Sequence, residues 1–309
     1  MKMKMGVTPQ TKHLKSIGAN LTLILVAFIW GSAFVAQNSA GNSLGTFSIN
    51  FSRYLVAAIA LIPVYFFFSR KENKKTPEYS KKLRSSLIGG IFCGIVLFAA
   101  SAFQQLGIIY GKDEGKAGFI TVMYVLIVPV IGLFFKRKIP VLTWIAVALS
   151  PVGLYFLCME GSLVPELADI ILFICALIFS VHILVIDRFS PKADGVLMSC
   201  TQFFVAALLS FICMVFFEAE DIRIIPVAWI EILYLGIMSS GVAYTLQIIA
   251  QKNTNPTVAS ILMSLESVFA MLCGALFSRT APEPRKILGA SIIFIAVILA
   301  QIPQSRRNK

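Results

Sequence analysis

Three charged side chains fall well inside long apolar stretches of this 309-residue chain: Arg53, Glu231 and Glu266. A charge in such surroundings is costly and tends to mark a pathway or a partner. Glu266 stands in mid-stretch, where only a cavity can bring it water. Such a carboxylate can bind a cationic or amino group, or carry a proton whose release is coupled to movement of a solute. A structural pair or a neutral hydrogen-bonded acid are the alternatives. Arg53 lies about 10 Å below the end of its stretch at ~1.5 Å per residue. It can hold a carboxylate or phosphate through two parallel bonds, or make a structural bond to carbonyls or to Glu266. Glu231 is near the start of its stretch beside Trp229, which suits a headgroup contact.

His182 is a lone histidine in an apolar interior, able to relay protons but more often bonded to a neighbouring helix. Around these groups the apolar stretches carry uncharged polar residues: Gln37, Asn38, Gln104, Gln105, Tyr110, Tyr124, Gln202, Tyr244 and Gln247. Trp30, Tyr124 and Tyr244 could line a pocket or simply pack against adjacent helices. The only other histidine is His13, no CxxC occurs, and no two carboxylates pair in the interior of a stretch, so no metal site or catalytic constellation is expected. The six cysteines all fall within or at the end of apolar runs and read as small buried hydrophobes.

The elements that must position these groups follow from composition. Hydrophobic residues make up 58 % of the chain and charged residues 14 %, with a mean hydropathy of +0.84. About a quarter of a soluble domain is charged. This chain cannot cover itself in water and is expected to be an all-α integral membrane protein. Ten stretches are long enough to span a bilayer: 17–38, 46–69, 87–109, 117–135, 139–158, 168–187, 196–217, 227–249, 257–278 and 287–303. Their continuity favours helices over barrel strands, which alternate. The basic N-terminal residues before 17–38 resemble a signal peptide, but that run is too long for one and no cleavage is expected.

The net charge of +12 sorts by side of the membrane. With the N-terminus inside, 20 basic residues lie on the inner side and 6 on the outer. This bias predicts cytoplasmic termini and a multi-pass protein of the cell membrane, and it removes the case for nucleic acid as a partner.

An internal repeat is visible. At an offset of 149, residues 27–37 meet 176–186 and, without a gap, 52–59 meet 201–208. Val56-Ala57-Ala58 then falls on Val205-Ala206-Ala207, and Arg53 on neutral Gln202, which favours a structural or gating role for the arginine. An offset of 140 aligns Lys112 with Lys252 and places Gln104 and Gln105 on Tyr244 and Thr245; an offset of 142 aligns Pro140 with Pro282. The expected units are 1–160 and 161–309, five spans each. Five is odd, so the copies are inverted relative to each other, an arrangement that supports alternating access with a cavity at the repeat interface.

The chain resembles the EamA-type branch of the drug/metabolite transporter superfamily over nearly its whole length. The resemblance rests on Trp30-Gly31-Ser32-Ala33-Phe34, Arg53, Ala117-Gly118-Phe119 with Pro129, and Leu265-Glu266-Ser267-Val268-Phe269. It departs where the family often has acidic residues after spans 4 and 9, here Lys136-Arg137-Lys138 and Arg279, and where Ser267 replaces a common proline. The resemblance implies a ten-helix secondary transporter of small organic metabolites, such as amino acids or related compounds, acting by alternating access. Export is its expected direction and protons are a candidate coupling ion. It also implies a cavity lined mainly by spans 1, 3, 4, 6, 8 and 9. The candidate substrate-binding residues are Trp30, Ser32, Gln104, Tyr124, His182, Tyr244, Gln247 and Glu266, with Arg53 as a gating or structural charge and no cofactor. The competing reading is a membrane-embedded enzyme acting on lipid-linked substrates, or a structural membrane protein. Pro63, Pro129 and Pro151 are candidate hinges or fixed kinks. Gly90 and Gly94 form a close-packing motif. Segment 39–45 is an outer loop that serves as a turn and could serve as a gate.

Overall fold

A computed structural model of the chain describes residues 9–70, 76–111, 114–158, 166–278 and 281–302. Lys2, Lys4, Lys71, Lys74, Lys75, Lys112, Arg279, Arg306, Arg307 and Lys309, all counted for orientation, lie outside them, as does the 160/161 repeat boundary. Among the described residues every regular element is helical, and ten helices are long and apolar enough to cross a membrane. They are α1 (Pro9–Gly41), α2 (Thr46–Ser69), α3 (Pro77–Gly111), α4 (Ala117–Phe134), α5 (Val141–Cys158), α6 (Leu167–Phe189), α7 (Gly195–Phe217), α8 (Ile225–Gln251), α9 (Pro256–Leu276) and α10 (Pro284–Gln301).

Each expected span is present, and two run further than their apolar cores. The 35 residues of α3 begin ten positions before the expected start, because Pro77 at the first helical position and Glu78 in the first turn suit a helix start. Large apolar side chains cover the outside, among them Phe66, Phe67, Phe68, Phe134, Phe216 and Phe217. In water such a surface would aggregate; in a bilayer it faces hydrocarbon.

The packing carries an approximate twofold relation between α1–α5 and α6–α10. Equivalent helices meet: α2 packs along α7, and α5 along α10. Tyr54 and Phe203, equivalent at the offset of 149, stack with centroids 5.7 Å apart at 20°. Two residues exchanged by a twofold axis can touch only near that axis, so it passes between these rings. Gly90 and Gly94 bring α3 onto α7; a Cβ on Gly94 would be 2.6 Å from the Gln202 carbonyl oxygen.

Spans α4 and α9 are each interrupted by a tightened turn, where the regular α-helical pattern lapses for one or two residues while Met123 and Ser264 keep right-handed helical dihedrals. The first is helical over Glu114–Thr121 and again over Tyr124–Phe134; the second over Pro256–Met263 and again from Leu265. At the offset of 142, Glu114–Thr121 maps onto Pro256–Met263 end to end, and the turns at Val122 and Ser264 coincide. Neither turn is at a proline: α4 continues through Pro129, and Pro63 and Pro151 likewise lie inside continuous helices. The third irregular span is α8, where Tyr234–Tyr244 forms a wide π-helical stretch. Such stretches concentrate at functional sites.

At one end of the bundle, Asp194 starts α7. Its Oδ1 accepts from the N–H groups of Val196 and Leu197, each at 3.1 Å, and its Oδ2 pairs with Lys82 Nζ at 3.0 Å. Lys252 Nζ donates to the neighbouring Ala193 carbonyl at 2.8 Å. Burial alone would raise the Asp194 carboxyl, but the Leu197 N–H and the Lys82 and Lys252 charges outweigh it and hold its pKa below the ordinary 3.8. A pKa lower in the folded state means that the cap contributes fully above the ordinary value and is lost as pH falls through the folded one. Asp194→Ala is expected to cost about 1 kcal/mol. In detergent this appears as a lower unfolding midpoint at neutral pH, with the gap from the parent closing in acid.

Candidate functional site

The interrupted spans converge on a cavity. Their restarts place Tyr124 and Glu266 face to face, the tyrosine hydroxyl donating to Glu266 Oε1 at 3.3 Å. These two residues are themselves equivalent at the offset of 142, so this contact, like Tyr54 on Phe203, lies near the twofold axis. The backbone N–H groups at the two turns keep acceptors within their own spans, Val122 on the Gly118 carbonyl at 3.2 Å and Ser264 on the Ser260 carbonyl at 3.1 Å, so it is side chains that face the axis here.

The walls come from seven spans. Trp30, Phe34 and Gln37 project from α1, Arg53 from α2, Gln104 from α3, and Thr121 and Tyr124 from α4. Across from them stand Phe179, His182 and Ile183 of α6, Ser239, Tyr244 and Gln247 of α8, and Met263 and Glu266 of α9. The space between their atoms, mouth included, is about 540 Å³. All six spans expected to line a cavity do so, and Arg53 brings in α2.

Arg53 is 4 % exposed and Glu266 5 %. Among the described residues they share no ion pair. Arg53 Nη1 donates to Gln37 Oε1 at 3.0 Å and Nη2 to the Tyr54 hydroxyl at 2.7 Å, while Nε has no partner. The arginine is thus held in place by two neutral acceptors and by the Tyr54 ring, whose centre is 4.6 Å from its guanidinium carbon, and among the described residues no carboxylate pairs with it. Glu266 has one bond, from Tyr124. A buried arginine and a buried carboxyl kept apart in this way can both be ionised at low cost only if something between them completes the pairing.

An aromatic wall separates and orients the polar groups. The Trp30 and Tyr244 rings are 4.7 Å apart, and the indole N–H donates to the Ser239 carbonyl at 3.0 Å, inside the wide stretch of α8. His182 meets Tyr244 edge-on at 5.8 Å. Its Nε2 is 2.9 Å from Gln202 Oε1 and donates in the tautomer that fits. Gln202 is the equivalent of Arg53, so each repeat ties this position on its second helix to a polar residue on its first. Gln247 Nε2 reaches the Met263 sulfur at 3.4 Å, leaving Oε1 without a partner.

Of the residues predicted from sequence, Trp30, Gln104, Tyr124, His182, Tyr244, Gln247, Glu266 and Arg53 share this cavity. Ser32 does not line it. Its hydroxyl donates to the Ile29 carbonyl at 2.9 Å and lies 2.5 Å from the Tyr234 hydroxyl, tying α1 to α8. Its neighbour Gly31 has a clear steric role. A Cβ there would be 2.5 Å from the Glu266 carbonyl oxygen and 2.8 Å from the Ala270 nitrogen, backbone atoms that cannot step aside. Only glycine lets α1 cross α9 this closely beside Glu266. Glu231 is outside the cavity, accepting from Ser39 Oγ at 2.8 Å.

Phe34, which stood in the Trp30–Phe34 motif without a site role, and Thr121, Phe179, Ile183, Ser239 and Met263 line the cavity without having been predicted to. The offset of 149 placed Phe179 on Trp30, which is the one signal that could have found it. Nothing in the types or spacing of the others distinguishes them from packing residues.

Comparison with known proteins agrees with this architecture. The EamA-like transporter family matches residues 17–159 and again 166–301. A protein of Archaeoglobus fulgidus described as an uncharacterized transporter is 29 % identical over 295 residues, covering 94 % of this chain and 87 % of that protein. A solved crystal structure superposes with a TM-score of 0.72 at 17 % identity, over 92 % of this chain and 97 % of that one, which is a likeness of fold.

Proposed function

The chain belongs to the EamA-like transporter family, and from that premise we propose that it carries small zwitterionic metabolites of the amino-acid class by alternating access. The observation that carries this reading is the pair of buried, unjoined ionisable side chains, Arg53 and Glu266, in one cavity. The free Nε edge of Arg53 suits a substrate carboxylate, and Glu266 suits an ammonium group. The aromatic wall of Trp30 and Tyr244 gives an apolar side chain a surface to lie on. A solute with both charges satisfies both walls at once; one with a single charge leaves the other buried and unpaired, which costs several kcal/mol.

Glu266 gives a means of coupling. A proton and a substrate ammonium compete for the same carboxylate, so binding one displaces the other. With export as the direction, protons entering would drive the solute out. The repeats fall at 1–160 and 161–309, and exchange of their conformations would turn the cavity from one face to the other. The positive-inside bias supports a cell-membrane protein with both termini cytoplasmic.

Counterflow in proteoliposomes tests this reading. Vesicles loaded with unlabelled amino acid should accumulate the labelled form transiently and saturably. Uptake linear in concentration, with no transient, would count against a carrier.

A further inference from the structure

The start of α2 is held by side chains from the other repeat. Glu218, directly after α7, accepts from the N–H groups of Phe47 at 3.1 Å and Ser48 at 2.8 Å, and from Ser48 Oγ at 2.9 Å. Asp221, in the turn that follows, accepts from Gly45 N–H at 2.6 Å. A helix start presents backbone donors without intrahelical partners and a partial positive charge, so two carboxylates stabilise it. The second repeat meets the same need from within. At the offset of 149 Gly45 corresponds to Asp194, the residue that caps α7. Gly45 has no side chain to offer, and a Cβ there would fall on the Glu218 carboxylate. The first repeat's missing cap is supplied across the repeat interface.

Behind this cap a line of polar groups leads back to the cavity. Thr46, Asn50 and Arg53 are spaced four and three residues apart and share a face of α2. Thr46 Oγ1, both amide atoms of Asn50 and Arg53 Nε are buried without a hydrogen-bond partner. So are both amide atoms of Gln105 on α3, whose Nε2 would be 3.1 Å from a Cβ on Gly41, one turn beyond the cavity residue Gln37. Buried polar groups are paired as a rule, and one orphan costs about 1–3 kcal/mol.

We propose that this row is the substrate's route between the cavity and the Gly45 face, and that the Glu218–Asp221 cap is the latch that closes it. This rests on the carrier reading. Between Arg53 and the cap the row offers neutral amide and hydroxyl groups, which can bond in turn to the carboxylate and ammonium of a hydrated zwitterion without trapping either. Opening the face separates α2 from the α7–α8 connection and releases the cap.

Thiol labelling tests this without a known substrate. Asn50→Cys is placed in the chain beside its six native cysteines, and sealed vesicles exposing the Gly45 face are treated with a membrane-impermeant maleimide. The parent without Asn50→Cys gives the background. The expected rate at position 50 is low in the latched chain and about tenfold higher when Glu218→Gln or Gly45→Ala weakens or displaces the cap. Gly45→Asp should raise it equally while keeping α2 capped, so its unfolding midpoint stays near the parent's and unlatching is told apart from unfolding. Rates unchanged in all three variants, or label arriving only from the opposite face, would overturn the proposal. A chain that exchanges solutes but ignores the three substitutions sinks the latch alone. An accelerated rate in the variants supports the latch even if every solute tried fails to exchange, a failure that would count against the zwitterion reading.

Discussion

Glu266→Gln is expected to lower counterflow of an α-amino acid roughly a hundredfold, the effect of removing one partner of a desolvated charge pair. The substitution keeps the size of the side chain and an acceptor for the Tyr124 hydroxyl, so the interrupted start of α9 should hold its shape. What is lost is the charge facing the substrate ammonium. The pH response separates binding from mere structure. In the parent, a proton and an ammonium compete for Glu266, so substrate binding weakens as pH falls; glutamine holds no proton, and the residual exchange should be flat with pH. Solutes with a carboxylate and no amine should lose far less. Exchange at the parental rate with the parental pH response would remove Glu266 from the mechanism.

Arg53→Gln is the second large effect. It places on α2 the residue that the other repeat carries at the equivalent position, Gln202, so a polar side chain of tolerated kind stands at the same depth. Exchange of amino acids should fall about a hundredfold, because the carboxylate loses its charge-assisted partner. Amines without a carboxylate should be carried as well as before or better. This selectivity is what a purely structural role would not produce: loss of the bonds to Gln37 and Tyr54 alone would depress every solute together and lower the unfolding midpoint in step. Lysine is expected to restore little, since its point charge cannot present the planar edge that binds a carboxylate through two atoms.

The ten spans were legible because the bilayer demands long unbroken apolar runs. The repeat was legible where its offset was ungapped, and the stacked Tyr54 and Phe203 lie within the segments that offset aligned. Glu266 was legible as a cavity residue because a mid-span carboxylate has few other places to be. The turns in α4 and α9 were not. Val122, Met123 and Ser264 are ordinary helix residues, and the prolines that drew attention sit in continuous helix. Local propensity does not mark these positions, so a reading of residue types alone passes over the turns. In the wide stretch of α8, Gly236 lies against Val56 and the Arg53 carbonyl of α2, a tertiary contact. Ser32 was drawn into the site by its place in a motif, whereas the motif's steric work is done by Gly31. The Glu218 contact with α2 joins residues 170 apart, and a glycine at position 45 gives no hint that a carboxylate stands beside it.

The most direct test of the central claim is counterflow by the purified wild-type chain with a matched set of solutes: one α-amino acid, its amine without the carboxylate, and its carboxylic acid without the amine. Exchange of the amino acid, with at least tenfold less of either single-charge analogue, is the predicted result, since each analogue leaves Arg53 or Glu266 unpaired. Equal exchange of all three, or exchange confined to an uncharged solute, would contradict it.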